Sequence, residues 1–169
     1  SAFTFCPNLT QVTITATGIT DIGASAFDGT TSLTTIEIPA SVTTIGEGAF
    51  TGSGISTFTV AEGSSSFKTD NSGKALLTND GKTLVAFAPK ATDSYTIPDG
   101  VVTIGNSSFQ GTAITSLEIP SSVTTIGESA FFRSALTSIV IGEAVETIGE
   151  AAFFSSALTS IVIPSSVTS

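Results

Sequence analysis

A short repeat limits this chain to very few folds. Ile-Gly occurs at Ile22-Gly23, Ile45-Gly46, Ile104-Gly105, Ile126-Gly127 and Ile148-Gly149, and a phenylalanine follows each time, at Phe27, Phe50, Phe109, Phe131 and Phe153. Successive pairs are 23, 59, 22 and 22 residues apart. A unit that short has room for a strand, a return segment and two turns. It cannot bury its own apolar face, so it is stable only when copies stack.

Residues 114–135 illustrate one coil. Their apolar positions are Ile114, Leu117, Ile119, Val123, Ile126, Ala130 and Phe131. Leu117 and Ile119 alternate with Glu118, the period-2 pattern of a half-buried strand. Pro120 ends that strand, having no N–H for a ladder. Val123 and Ile126 turn inward on the return path, and Ala130 and Phe131 fill the far corner. Gly127 permits a bend or a close backbone approach that a Cβ would block. Stacking is expected to align 36–38, 58–60, 117–119, 139–141 and 161–163 in one parallel sheet, with strands about 4.8 Å apart. The crossovers should be right-handed. The period and pattern predict a right-handed leucine-rich-repeat solenoid, mostly β, with coils of about 22 residues. By length, 1–169 reads as a single domain.

The period fails once. After 58–60 it resumes only at Tyr95-Thr96-Ile97-Pro98, which defines an insert of about 61–92. The insert carries two turn signals, Asp70-Asn71-Ser72-Gly73 and Asn79-Asp80-Gly81-Lys82. Hydrophobic runs at 75–78 and 83–87 flank the second and predict a β-hairpin. A third strand near 67–69 would make it a meander. Lys68, Lys74, Lys82 and Lys90 are four of the five basic residues. Against Glu62, Asp70 and Asp80 they give 61–92 a net +1, leaving −10 for the rest of a chain of net −9. The expected form is a projecting, solvated hairpin with lysines guarding an exposed edge strand. The alternative is a basic contact point on an acidic body.

Charge and composition exclude several roles. A net charge of −9 argues against nucleic acid, which needs a basic footprint. No apolar run approaches the roughly 20 residues of a membrane-spanning helix, so no membrane insertion is expected. Cys6 is the only cysteine, so no intrachain disulfide can form. Ser1-Ala2-Phe3 reads like Ser25-Ala26-Phe27, and Ser166-Val167-Thr168-Ser169 stops where Ile-Gly should follow. The expectation is a fragment of a longer protein. Asn8-Leu9-Thr10 and Asn106-Ser107-Ser108 are glycosylation sequons.

Catalytic chemistry finds little to work with. There is no histidine and no tryptophan, and no obvious base stands ready to activate a serine. A Cys/His zinc site is excluded by count. Glu47, Glu128 and Glu150 share one column after the glycine. Such a row could serve glycosidase chemistry or calcium, but it reads more simply as a solvated charge row. Thr44, Thr103, Thr125 and Thr147 form a second column that could order water. The expectation is no enzyme, no metal and no cofactor.

Contact residues are sought instead on the open face of the sheet. Its mid-strand row is Thr13, Glu37, Thr59, Glu118, Val140 and Val162, turning from polar to apolar along the chain. The residue after the recurring phenylalanine turns the same way, from Asp28, Thr51 and Gln110 to Phe132 and Phe154. Two aromatics on adjacent coils begin an apolar patch. They serve either as a contact surface for a ligand or another solenoid, or as a cover for the rim of the core.

The columns Ile38-Pro39, Ser41-Val42-Thr43, Ile45-Gly46 and Ala49-Phe50, with their copies at 119–131, resemble the BspA-like leucine-rich-repeat family over nearly the whole chain. The resemblance implies a cell-surface or secreted, hence extracellular, binding module that adheres to proteins or other cells. It brings no catalytic motif. The alternative is a structural spacer or self-associating scaffold with no ligand of its own.

Overall fold

The computed structural model describes residues 1–15, 18–92 and 94–169. Its strands are β1 (Asp21–Ile22), β2 (Thr35–Ile38), β3 (Thr44–Ile45), β4 (Thr57–Val60), β5 (Phe67–Thr69), β6 (Ala75–Thr78), β7 (Thr83–Phe87), β8 (Thr103–Ile104), β9 (Ser116–Glu118), β10 (Thr125–Ile126), β11 (Ser138–Val140) and β12 (Thr147–Ile148). No helix occurs among the described residues. The chain is a β-solenoid whose parallel partners are mostly 22 residues apart, as in Thr125 opposite Thr147 and Glu118 opposite Val140.

Each regular coil supplies two strands. The longer one buries alternate residues, as the alternation predicts: in β2, Ile36 and Ile38 are buried and Thr35 and Glu37 exposed. The second is a two-residue strand just before the glycine column, which the sequence presents only as a return path. Both kinds pair in parallel, β2 with β4 and β9 with β11, and β1 with β3, β8 with β10 and β10 with β12.

The glycine column is a close approach rather than a bend. A Cβ on Gly127 would lie 2.7 Å from Asn106 N, and one on Gly149 2.5 Å from Glu128 N. Real side chains do not pack so tightly, which explains the recurrence. The bend comes two residues later. Ser25, Gly48, Ser107, Ser129 and Ala151 all have φ between 53° and 61°, a left-handed turn that brings the next two residues inward. Those residues are the Ala-Phe column. Phe3, Phe27 and Phe50 stack at centroid distances of 5.3 and 6.0 Å. Phe87, Phe109, Phe131 and Phe153 stack at 4.9, 5.0 and 5.3 Å. All seven apolar residues of the 114–135 coil are buried.

Two expectations about the longer strands need correction. The longer strands do not form one sheet; β2–β4 and β9–β11 are separate ladders. The insert divides them, because Phe58 N–H on the free edge of β4 donates to Gly73 O of the insert's first turn. Residues 161–163 form no strand, and Ile161, Val162 and Ile163 are all exposed. Their carbonyl and N–H groups find no ladder partner on β11 among the described residues.

The insert is the meander expected, at the strands expected. Its second turn is fixed by side chains: Thr78 Oγ1 and Lys82 N–H both donate to Asp80 Oδ1, at 2.6 and 2.9 Å. Gly81 takes the left-handed conformation, φ 74°. Those two bonds hold the exposed Asp80 carboxyl below its usual pKa range. Lys68 lies exposed on β5, the outer strand of the six-stranded sheet, in keeping with edge protection.

The insert does not project, however. Ala75, Leu76, Leu84 and Ala88 are fully buried. β7 pairs with β8 in parallel, Thr83 opposite Thr103 and Leu84 opposite Ile104. Val102 and Thr103 N–H donate to Lys82 O, as Thr124 and Thr125 N–H donate to Val102 O one coil on. Phe87 stands on Phe109 as Phe109 stands on Phe131. Residues from Thr83 onward are therefore the return path of the third coil, and only the chain before them is extra. Hydrophobic burial explains the result: Leu76, Leu84 and Phe87 would otherwise expose their full side chains.

Candidate contact surface

The strand row lies where the alternation places it. Glu37, Thr59 and Glu118 are exposed, and Glu37 faces Thr59 in register while Glu118 faces Val140. Val140 is 59% and Val162 82% exposed, high values for valine. The break between the two ladders leaves a wholly polar part, Thr13, Glu37 and Thr59, on one side, and Glu118 followed by Val140 and Val162 on the other. The polar part borders a groove of about 440 Å³, which Thr13, Glu37 and Thr59 line together with Gln11, Thr10 and Pro39. No ladder bond joins residues 10–14 to β2 among the described residues, which leaves this groove open.

Phe132 and Phe154 sit at the corner that follows the phenylalanine column. The structure brings them together, rings 5.7 Å apart and 10° from parallel. Phe132 is half-buried and Phe154 is 64% exposed. Arg133 completes the patch, its guanidinium 4.9 Å from the Phe132 centroid. A cation over an aromatic face is attracted by the ring quadrupole. Sequence reasoning missed this arginine. The signal was available: Arg133 stands where Gly29, Gly52 and Gly111 stand in earlier coils, and it keeps their left-handed backbone at φ 53°.

The acidic column is exposed, and Asn106 interrupts it. Asn106 Nδ2 donates to Glu47 Oε1 at 2.9 Å and its Oδ1 accepts Glu128 N–H at 3.0 Å. In the sequon at Asn106 the side chain is thus engaged at both ends, and Ser108 is buried. Asn8 of the other sequon is exposed. Thr103 lies in register between Thr83 and Thr125, so the threonine column continues through the insert. Among the described residues, no cluster of His, Cys, Asp and Glu is arranged to hold a metal, and no helix is long and apolar enough to cross a membrane.

Stacked two-strand coils around a phenylalanine spine define a leucine-rich-repeat β-solenoid. The chain belongs to the BspA-type leucine-rich-repeat family: six copies of the repeat, "BspA type Leucine rich repeat region", match residues 1–72 and 84–169. The match resumes at Leu84, inside β7. Among solved structures, a leucine rich cell surface protein from Faecalibacterium prausnitzii A2-165 is 33% identical with a TM-score of 0.74, over 89% of this chain and 40% of that one. A leucine-rich repeat protein from Eubacterium ventriosum ATCC 27560 is 26% identical with a TM-score of 0.61, over 75% and 40%. The pneumococcal vaccine antigen PcpA shares the fold at 24% identity and a TM-score of 0.62, over 91% and 33%. The chain spans less than half the length of each of these structures. No curated protein matches it.

Proposed function

We propose that this chain is a binding and adhesion module of a surface or secreted repeat protein, contacting extracellular proteins or other cells. The stacked, outward-facing Phe132–Phe154 pair with Arg133 beside it carries the reading. Exposed Val140, on the coil of Phe154, extends the apolar character. Aromatic and arginine side chains dominate the energetics of protein interfaces. The family and a cell-surface structural neighbour support an extracellular location.

The test compares the protein with the double variant Phe132→Ser/Phe154→Ser in adhesion to immobilised matrix proteins and whole cells, and in self-association by ultracentrifugation. Unchanged melting with lost retention supports a contact surface. If only self-association is lost, the partner is another solenoid. A spacer retains nothing even before mutation. A large fall in melting temperature makes the pair part of the core.

A further inference from the structure

One corner of the solenoid is missing, and the gap is a built cleft. Ile45 reaches Phe50 in five residues and Ile104 reaches Phe109 in five, but Leu84 reaches Phe87 in three. The third coil therefore lacks the turn that would stack between Glu47–Gly48 and Asn106–Ser107. A cleft of about 250 Å³ occupies that place, with Ile45, Ala49, Phe50, Val85 and Phe87 among its walls. It is closed at both ends. At one, Asn106 donates to Glu47 across a separation of 59 residues. At the other, Gly111 packs so closely on Thr51 that a Cβ would lie 3.1 Å from its Cγ2.

The missing corner leaves donors behind. In the regular coils the corner is a backbone ladder. Ser25, Phe27 and Gly29 N–H donate to Glu47, Ala49 and Thr51 O, and Ser107, Phe109 and Gly111 N–H donate to Glu128, Ala130 and Phe132 O. The equivalent N–H groups of the second coil belong to Gly48, Phe50 and Gly52. Among the described residues none of the three has an acceptor. Gly52 is covered by Gly111, but Gly48 and Phe50 line the cleft. A third donor lies opposite. Ser108 replaces the alanine found at Ala26, Ala49, Ala130 and Ala152. It lines the cleft, is 98% buried, and its Oγ has no hydrogen-bond partner. Buried polar groups are rarely left unpaired.

We infer that this cleft binds an extended peptide segment of a partner protein, which enters with one apolar side chain. Two N–H groups on alternate residues match alternate carbonyls of an extended chain, the geometry of strand addition. The cleft offers two backbone N–H donors, a hydroxyl that can donate or accept, and the Gln110 amide, whose Oε1 lies beside Gly48, so it suits a group that both accepts and donates, as a peptide unit does. Glu47 on the rim and the chain's charge of −9 repel an anion, which favours neutral peptide groups. The apolar walls take the side chain. The volume lies just under the roughly 300–1,000 Å³ of pockets that enclose drug-sized ligands, so one side chain and its flanking peptide groups fill it. This site is separate from the aromatic pair and stands or falls without it.

The experiment uses the isotopically labelled protein. In the free protein, Gly48 and Phe50 amides should exchange with solvent much faster than those of Phe27, Phe109 and Phe131. The probes are the blocked tripeptides acetyl-Ser-Leu-Ser-amide and acetyl-Ser-Phe-Ser-amide, with acetyl-Ser-Gly-Ser-amide, sodium acetate and glucose as comparisons. The first two should shift the Gly48 and Phe50 amide resonances saturably and slow their exchange. The Ser108→Ala variant restores the residue of the other coils, so folding is not at stake. It should bind roughly fivefold more weakly, the effect of one neutral hydrogen bond. Protection of Gly48 and Phe50 equal to that of Phe27 overturns the inference. So does the absence of tripeptide shifts, an equal response to the glycine peptide, acetate or glucose, or unchanged affinity in Ser108→Ala.

Discussion

Leu84 lies opposite Ile104 in parallel register, with Gly105 N–H donating to Leu84 O at 2.9 Å. The last strand of the meander is thus a structural member of the stack. Replacing residues 66–90 with a Gly/Ser linker should therefore unfold the third coil and its neighbours, seen as a large loss of β circular dichroism. Replacing only 61–82 with Pro-Ser-Ser-Val-Thr, the sequence of 120–124, should keep the fold, because Thr83 and Leu84 then follow Val60 as Thr125 and Ile126 follow Ile119. Equal outcomes for the two replacements would contradict this boundary.

The spine makes a second prediction. Phe131 is fully buried between Phe109 and Phe153. Phe131→Ala should cost about 3–5 kcal/mol in chemical unfolding. Glu118→Ala, on the exposed side of β9, should stay within about 0.5 kcal/mol. Similar losses would mean that Phe131 is not core.

The left-handed corner makes a third. Arg133 at φ 53° bears a strain of roughly 1–2 kcal/mol that glycine would not. Its cation–π contact offsets about 0.5–1 kcal/mol of that. Arg133→Gly should therefore raise the unfolding midpoint, with a gain of up to about 1.5 kcal/mol. Gly111→Ala, in the same column, should lower it, because it adds strain and a Cβ against Thr51. A loss in Arg133→Gly would show that the ring contact outweighs the backbone.

Tyr95 makes a fourth. It packs on Phe87 at 4.6 Å, and its hydroxyl is buried close to Asp70. Burial first, and then the negative charge of Asp70, push its pKa well above the usual phenol range. The folded pKa is the higher one, so its contribution is complete below the unfolded value near 10 and is lost as pH rises beyond it. Stability should fall by up to about 1.4 kcal/mol per pH unit more steeply above pH ~10 than in Tyr95→Phe. Tyr95 is the only tyrosine, so tyrosinate absorbance reports the titration directly. Identical slopes in the two proteins would remove the coupling.

Much of this was legible in the residues. Strict columns of Ile, Gly, Ala and Phe can be satisfied only by stacking, and Thr78-Asn79-Asp80-Gly81 admits little but a hairpin turn. The two-residue strands were not legible, since Thr-Ile is too short to show a period and pairs only because the next coil lies beside it. The role of β7 was hidden by its spacing. Leu84 is followed by valine rather than glycine, and Phe87 arrives two residues early. One signal did survive, because Phe87 precedes Phe109 by the same 22 residues that separate Phe109 from Phe131. Of the proposed contact residues, the exposure of Glu37, Thr59, Glu118 and Val140 followed from alternation, but the interruption of their row did not, because it depends on where the insert docks.

The phenylalanine spine breaks once, between Phe50 and Phe87, and the break has a mechanical meaning. On either side of this break, return-path and corner bonds join each coil to the next. Coils two and three are joined at β2–β4 but carry no ladder at the return path, where β3 pairs only with β1. A stack that is nearest-neighbour in its energetics yields at its weakest seam. The β2–β4 seam is a spine like that of a book, held shut on its open side only by the Asn106–Glu47 bond and by Gly111 packed on Thr51. A module tethered between two surfaces would flex there under load before any turn unravels, and a strand seated in the open corner would set the angle.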